Sequence, residues 1–147
     1  MVNKWLVTIS EDNFQVALKK GLIGVSPRWR KPLDEMKKGD GIIFYIGKKK
    51  VGKGGPHSSI SQFAGLAEVT GPAFVSKEPV WHSKGDELFP YRRKIKFSAS
   101  VDKAEASKVC RSLEFIRNPD YWMLYFFTAI RKLSDVDYET IKKALSK

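Results

Sequence analysis

Lys4-Trp5-Leu6-Val7-Thr8-Ile9-Ser10-Glu11-Asp12-Asn13-Phe14-Gln15-Val16-Ala17-Leu18-Lys19-Lys20-Gly21 holds two elements of different kinds and the punctuation between them. Trp5–Ile9 is short, β-branched and apolar, which is the pattern of a strand. Ser10 stands where an N-cap belongs, Glu11 and Asp12 fall in the first helical turn, Lys19 and Lys20 in the last, and Gly21 closes the helix. Phe14, Ala17 and Leu18 share one helical face at i, i+3, i+4 spacing. The opening is therefore strand then helix, and the rest of the chain decides whether that unit repeats.

It does not repeat. Gly21 to Pro32 reads as a loop rich in Gly, Pro and Arg, followed by a short helical turn that sets Leu33 beside Met36. Lys38-Gly39-Asp40-Gly41 is a turn into the strand Ile42–Ile46. Gly47 to Ser59 lacks periodicity and reads as a mobile basic loop. Gln62–Thr70 is a strand stopped by Gly71-Pro72, in which Gly65 marks a bulge or a close backbone approach. A second irregular stretch runs from Phe74 to Phe89. Tyr91–Val101 then alternates, with Ile95, Phe97, Ala99 and Val101 facing inward and Arg92, Lys94, Lys96 and Ser98 forming a positive outer face.

Asp102 with Glu105 resembles a capping box, opening a helix whose Ala106, Val109, Cys110 and Leu113 make a stripe. Tyr121 to Phe127 is so apolar that periodicity does not choose between a buried helix and a buried strand. Ser134 with Asp137 forms another capping box, for a last helix that buries Tyr138, Ile141 and Leu145. Strands and helices mix without βαβ alternation, which argues an α+β fold with a small curved sheet or barrel, in one domain over residues 1–147.

Charge points to the class of partner. Lys and Arg number 27 against 16 Asp and Glu, giving a net charge of +11. Four tryptophans, five tyrosines and nine phenylalanines accompany that charge, several beside cations, as in Arg28-Trp29-Arg30-Lys31 and Pro90-Tyr91-Arg92-Arg93. Basic surfaces attract polyanions through counterion release, and flat rings give bases something to stack on. No apolar run is long enough to span a bilayer, and no basic amphipathic helix or lipidation motif points to a membrane surface. With no signal peptide and a single cysteine, a reducing, cytoplasmic home is expected. Nothing in the sequence speaks to oligomeric state.

Gly47-Lys48-Lys49-Lys50-Val51-Gly52-Lys53-Gly54 nearly spells a phosphate-binding P-loop, but Gly54 replaces the magnesium-holding Ser or Thr and Gly55-Pro56 prevents the helix that would follow. The better reading is a cationic loop draped over a phosphate backbone through Lys48, Lys49, Lys50 and Lys53, with a solvated hairpin tip as the plain alternative. His57, His82 and Cys110 do not have metal-ligand spacing, so no metal or cofactor is expected. Two rival functions stay open. One is an RNA-modifying or hydrolytic enzyme using Cys110 with His57 or His82; the other is a protein-interaction module whose charge serves only solubility.

Each tryptophan has its own reading. Trp5 is either core or pocket wall. Trp29, flanked by cations in a loop, favours contact with a partner, as does Trp81 in its irregular stretch. Trp122 is either a core plug or a pocket ring.

The order of several short motifs carries a family resemblance. Lys4 to Ser10, then Gly24-Val25, then Met36-Lys37-Lys38-Gly39-Asp40 leading to Phe44-Tyr45, then Gly65-Leu66-Ala67-Glu68-Val69, Pro90-Tyr91-Arg92 and Leu113-Glu114-Phe115-Ile116 with Trp122, resembles the EVE domain family over nearly the whole chain. The resemblance implies a PUA-like fold, a small barrel flanked by helices, related to the YTH readers of methylated adenine. It implies a module that binds nucleic acid and holds a modified base in an aromatic-lined pocket; with no complete catalytic arrangement in the sequence, a binder and not an enzyme is expected. By position, Ser10 and Asn13 would lie at the pocket's polar edge and Gly24-Val25 in its wall. Trp81 and Trp122 would supply rings. From the charge pattern, Arg28, Arg30, Lys31, the lysine loop and Arg92 are the candidates to hold the backbone. Ile23 stands where many relatives have an aromatic, so either the cage lacks a ring or Trp29 supplies it.

Overall fold

The computed structural model describes residues 2–50, 59–98 and 102–146. Its strands are β1 Lys4–Ile9, β2 Leu22–Val25, β3 Gly41–Lys48, β4 Ser59–Val75, β5 Tyr91–Phe97, β6 Lys103–Glu105 and β7 Ile130–Leu133. Its helices are α1 Glu11–Lys20, α2 Arg30–Glu35, α3 Ala106–Val109 and α4 Asp135–Leu145, joined by 3-10 segments at Pro27–Trp29, Cys110–Ser112 and Pro119–Phe126. The strands form one mixed sheet in the order β2-β5-β4-β3-β1-β7, with β6 added to the start of β4. Among the described residues only β1 and β3 run parallel, Lys4 opposite Gly41 through Ile9 opposite Ile46. This is the α+β architecture expected, as an open sheet and not a closed barrel. No helix among the described residues is long and apolar enough to cross a membrane.

Period-two alternation splits the interior into two cores, one on each face of the sheet. Trp5 and Val7 of β1, with Ile42, Phe44 and Ile46 of β3, pack with Phe14 of α1 and Leu33 of α2. Leu6, Ile43 and Tyr45 face the other way, against Cys110, Leu113, Phe126 and the α4 residues Tyr138, Ile141 and Leu145. β3 is therefore buried on both faces, which is why Gly41-Ile42-Ile43-Phe44-Tyr45-Ile46 has no polar alternation.

Gly65 is both a bulge and a site of close backbone approach. It is the extra residue where the register moves from Ile43–Leu66 to Phe44–Ala64, its φ is +67°, and a Cβ there would lie 3.2 Å from the rings of Phe14 and Phe97. Those two rings and Phe44 form an aromatic triad with centroids 5.3–5.8 Å apart. Across the sheet end, Asp40 accepts from the Trp5 indole at 2.9 Å and from the backbone of Asn3 and Lys37 at 3.0 Å each. Burial raises its pKa, but these bonds outweigh burial and leave it below the usual value. Trp5 is thus core, not pocket wall.

Several expected boundaries differ. Leu22–Val25, expected as loop, is a strand paired with Tyr91–Lys94; four residues containing a glycine are too few to show a period. β4 does not stop at Gly71-Pro72. Between the pairs Val69–Ile95 and Ala73–Arg93 it advances four residues against two, so Pro72 falls in a bulge where its missing N–H breaks no ladder bond. Gly47, Lys48 and Ser59, expected in a loop, belong to β3 and β4, while residues 51–58 lie outside those described. Lys103–Glu105 pairs with β4, so the helix starts at Ala106 and the Asp102–Glu105 capping box does not form. At α4, Ser134 does cap Asp137 N–H at 3.1 Å, but the Asp137 carboxylate accepts instead from the backbone of Glu114 and Phe115, at 2.7 and 3.1 Å.

Candidate functional site

A cleft of about 530 Å³ opens where the C-terminal ends of β1 and β3 meet the first turn of α1. Six segments build it, and most of its wall is apolar. Thr8, Ser10 and Asn13 line its floor, Gly24 and Val25 one side, and Trp29, Trp81 and Phe89 the rim beyond them. Lys48, Ser59 and Ser61 come from the β3–β4 strands, with Met123 and Phe127 opposite. Six of the seven residues expected in a base pocket, Ser10, Asn13, Gly24, Val25, Trp29 and Trp81, thus converge on one cavity. Trp122 does not. It is half-buried and packs against the second core, its ring centroid 6.1 Å from that of Phe126, outside the cleft lining.

The rim loop that carries Trp81 is fixed at both ends and in the middle. Arg92 donates to the carbonyls of Glu78 at 2.6 Å, Leu88 at 2.9 Å and Phe89 at 3.0 Å. Asn13 donates to the carbonyl of His82 and accepts from its N–H, at 2.9 and 2.8 Å. The Trp81 indole then lies on Gly24, so close that a Cβ there would stand 2.6 Å from Nε1. Gly24 is required by that approach, not by its backbone angles.

These contacts correct one expectation. Arg92 is not on a positive outer face; it is buried with its donors committed to carbonyls, because residues 76–90 cover the face of β5 that alternation leaves outside. Burial lowers its pKa, opposed by nearby Glu78. Its neighbour Arg93 is likewise buried, bonded to the carbonyls of Gly71 and Leu33. Asn13 lines the cleft, where the pocket's edge was expected, and both ends of its amide also hold the loop that carries Trp81.

Strain gathers at this cavity. Ser61 and Phe89, with φ of +58° and +47°, are the described non-glycine residues in left-handed conformation, and both line it. Such residues persist where their surroundings over-determine them, commonly at ligand sites. Ser61 is held by a hydrogen bond to the Tyr45 hydroxyl, and Phe89 by Arg92 and by Glu87. Among the described residues, Thr8 Oγ1 and Trp81 Nε1 in the same wall are buried without a hydrogen-bond partner. Neither Ser61, Phe89, Met123 nor Phe127 could be found from sequence, since no local signal marks a left-handed Ser or an apolar residue that faces a cleft.

The expected backbone contacts divide. Lys48 lines the cleft, and Lys49 and Lys50 follow it, both exposed. Lys53 and His57 lie outside the described residues. Arg28, Arg30 and Lys31 are exposed around a separate shallow recess. Arg28 lies over the Trp29 ring at 5.3 Å, which joins this basic patch to the cleft rim. Arg30 lies over Tyr91 at 4.9 Å and pairs with Asp34 at 3.4 Å.

Cys110 is fully buried in the second core, where burial pushes its thiol up to about 12. A nucleophile needs thiolate at neutral pH, and this environment withholds it. His82, the described histidine, is on the exposed rim loop on the far side of the sheet's first core, so the Cys–His pair expected of an enzyme is not assembled from these two residues.

The chain is similar to known proteins over nearly its whole length. A UPF0310 protein of Pyrococcus horikoshii is 28% identical over 144 residues, covering 96% of this chain and 97% of its own. The Pho92 YTH domain, solved in complex with m6A, superposes with a TM-score of 0.65 at 12% identity, over 99% of this chain and 84% of that one. Human THYN1, solved in complex with 5-methylcytosine-containing DNA, gives 0.58 at 14% identity, over 99% and 98%. At these identities the two structures establish a shared fold. The EVE domain model matches residues 3–144, and the chain belongs to the EVE domain family.

Proposed function

We propose that this protein is a nucleic-acid-binding module, not an enzyme, that receives a modified base in the cleft while its lysines hold the strand. The observation that carries the reading is the convergence of Trp29 and Trp81 on one apolar cavity, with Lys48 in the same wall. A volume of about 530 Å³ falls within the range of small-molecule sites. A base must leave its stack to enter, so the substrate is single-stranded or flipped-out. The shared fold with a YTH domain solved with m6A and with THYN1 solved with methylated DNA supports the same reading.

An apolar wall gains about 0.8 kcal/mol for each buried methyl group, roughly a fourfold preference. The test is a fluorescence-anisotropy titration of matched oligonucleotides carrying N6-methyladenine, 5-methylcytosine or the plain base, each as DNA and RNA. The expected result is a severalfold preference for one modified oligonucleotide, lost in Trp81→Ala. Equal affinity across the panel reduces the protein to a polyanion binder without base recognition.

A further inference from the structure

Four large apolar side chains within seven residues stand out in solvent at one lip of the cleft. Tyr121, Met123, Leu124 and Phe127 are all more than half exposed, Phe127 at 79%. Among the described residues, the other exposed large apolar side chains, Val2, Val75 and Val136, are scattered singly, as on any protein surface. The apolar Tyr121–Phe127 run reads in sequence as a buried helix or strand, and the structure instead leaves these four side chains in solvent.

The lip is not a frayed end. Phe126 anchors it from beneath, stacked on Tyr45 with centroids 3.9 Å apart and planes 9° from parallel. Trp122 packs edge-on against Phe126, and the Tyr125 hydroxyl accepts from the backbone of Asn118 at 3.1 Å. The exposed rings are therefore presented on a fixed support. Met123 and Phe127 also belong to the cleft wall, in which Lys48 is a member and from which Lys49 and Lys50 continue. The apolar platform and the cations flank the same opening.

Continuity with the cleft and the neighbouring positive charge select the occupant. A strand whose base enters the cleft carries its next base over the rim, with its phosphate toward cations. We propose that Phe127, with Met123 beside it, is the stacking platform for the nucleobase adjacent in the strand to the one in the cleft. The inference rests on the base-binding reading above and adds a second contact to it. Every base has a π face, so the platform raises affinity for single strands without selecting a flanking sequence.

The test uses the full chain and five-nucleotide RNAs with N6-methyladenosine at the centre, together with DNA counterparts centred on 5-methylcytosine. Each is made with intact neighbours and with an abasic site on either side. Stacking of one base predicts that the wild type loses about fivefold or more in affinity when one neighbour, on one side only, becomes abasic. Phe127→Ala should lose as much on the intact strand and then be indifferent to the abasic site, while Phe127→Tyr keeps wild-type behaviour. With the ring so exposed, neither substitution should move the melting temperature. Wild-type affinity of Phe127→Ala on the intact strand overturns the proposal. So does an equal loss on intact and abasic strands, which would make Phe127 a contact of the central base. A wild-type dimer in sedimentation that Phe127→Ala dissociates, with oligonucleotide affinity unchanged, assigns the platform to a second copy of the chain and also overturns it. If flank coupling persists but the central methyl has no effect, the modified-base reading fails and the platform stands.

Discussion

The side chain of Asn13 pairs with the backbone of His82 as a second backbone would, donating through Nδ2 at 2.9 Å and accepting through Oδ1 at 2.8 Å. One residue of α1 thereby fixes the height of the neighbouring Trp81 over the cleft. Asn13 therefore acts on recognition through Trp81, and one N–H and one lone pair of its amide remain outside that pairing.

Asn13→Ala should lower the melting temperature by a few degrees, since two net hydrogen bonds contribute about 1–3 kcal/mol. It should also abolish the preference for a modified base. Hydrogen exchange at the His82 amide separates the two possible causes: the amide is expected to be protected in the wild type and fast in the variant. Lost preference with a protected amide would instead assign Asn13 a direct contact with the base.

Gly24→Ala tests the same ring from the other side. The new Cβ would lie 2.6 Å from Trp81 Nε1, 2.9 Å from Cε2 and 3.0 Å from the carbonyl of Phe89, so the indole must leave its place. The approach to the Phe89 carbonyl is to backbone, so the melting temperature should fall by a few degrees, while β2, an edge strand, stays paired. Base preference should fall as far as in Trp81→Ala. Wild-type titration curves for Gly24→Ala would remove Trp81 from the recognition surface.

The legible parts of the chain are those whose signals are local. The Trp5–Gly21 unit announces itself by a β-branched run, cap residues and a 3.6-residue face, and Gly65 by its place inside a strand. β2 escapes because pairing with β5, not its own four residues, makes it a strand. Arg92 misleads because alternation tells which way a side chain points and not what covers it; residues 76–90 fold over that face. Phe127 misleads for the opposite reason, since hydrophobicity is the same signal in a core and on an exposed platform. The cleft itself joins residues more than a hundred positions apart, and no spacing encodes that.

Salt dependence should separate Arg92 from the lysines. Replacing Lys48, Lys49, Lys50 and Lys53 with Ser should flatten the slope of log K against log salt by up to about three units, at about 0.7 per phosphate contact on a single strand. Arg92→Lys should leave the slope unchanged, because its guanidinium meets carbonyls and not solvent. It should instead lower the melting temperature, as an ammonium cannot reproduce the planar fork that reaches three carbonyls. Titrations at several salt concentrations, paired with thermal melts, check both halves. An Arg92→Lys slope reduced by one contact would return this residue to the phosphate-binding surface.

Cys110 sets an alkaline limit on stability. Its folded pKa is raised by burial from 9.0 to about 12, so folded protein holds the proton over a range where unfolded chain releases it. The contribution is fully present below pH 9 and is lost as pH rises from there toward 12, approaching about 1.4 kcal/mol per pH unit once the unfolded thiol is ionised. Tyr45 and Tyr138, also raised mainly by burial, steepen the same limb from about pH 10 upward. Cys110→Ala should be less stable at pH 8, because it leaves a cavity in the second core, yet lose less stability between pH 8 and 10 than the wild type. Urea unfolding at pH 8, 9 and 10 measures the two slopes directly. Parallel slopes would mean that Cys110 ionises as readily in the folded protein as in the unfolded chain, and the thiol would again be available as a nucleophile.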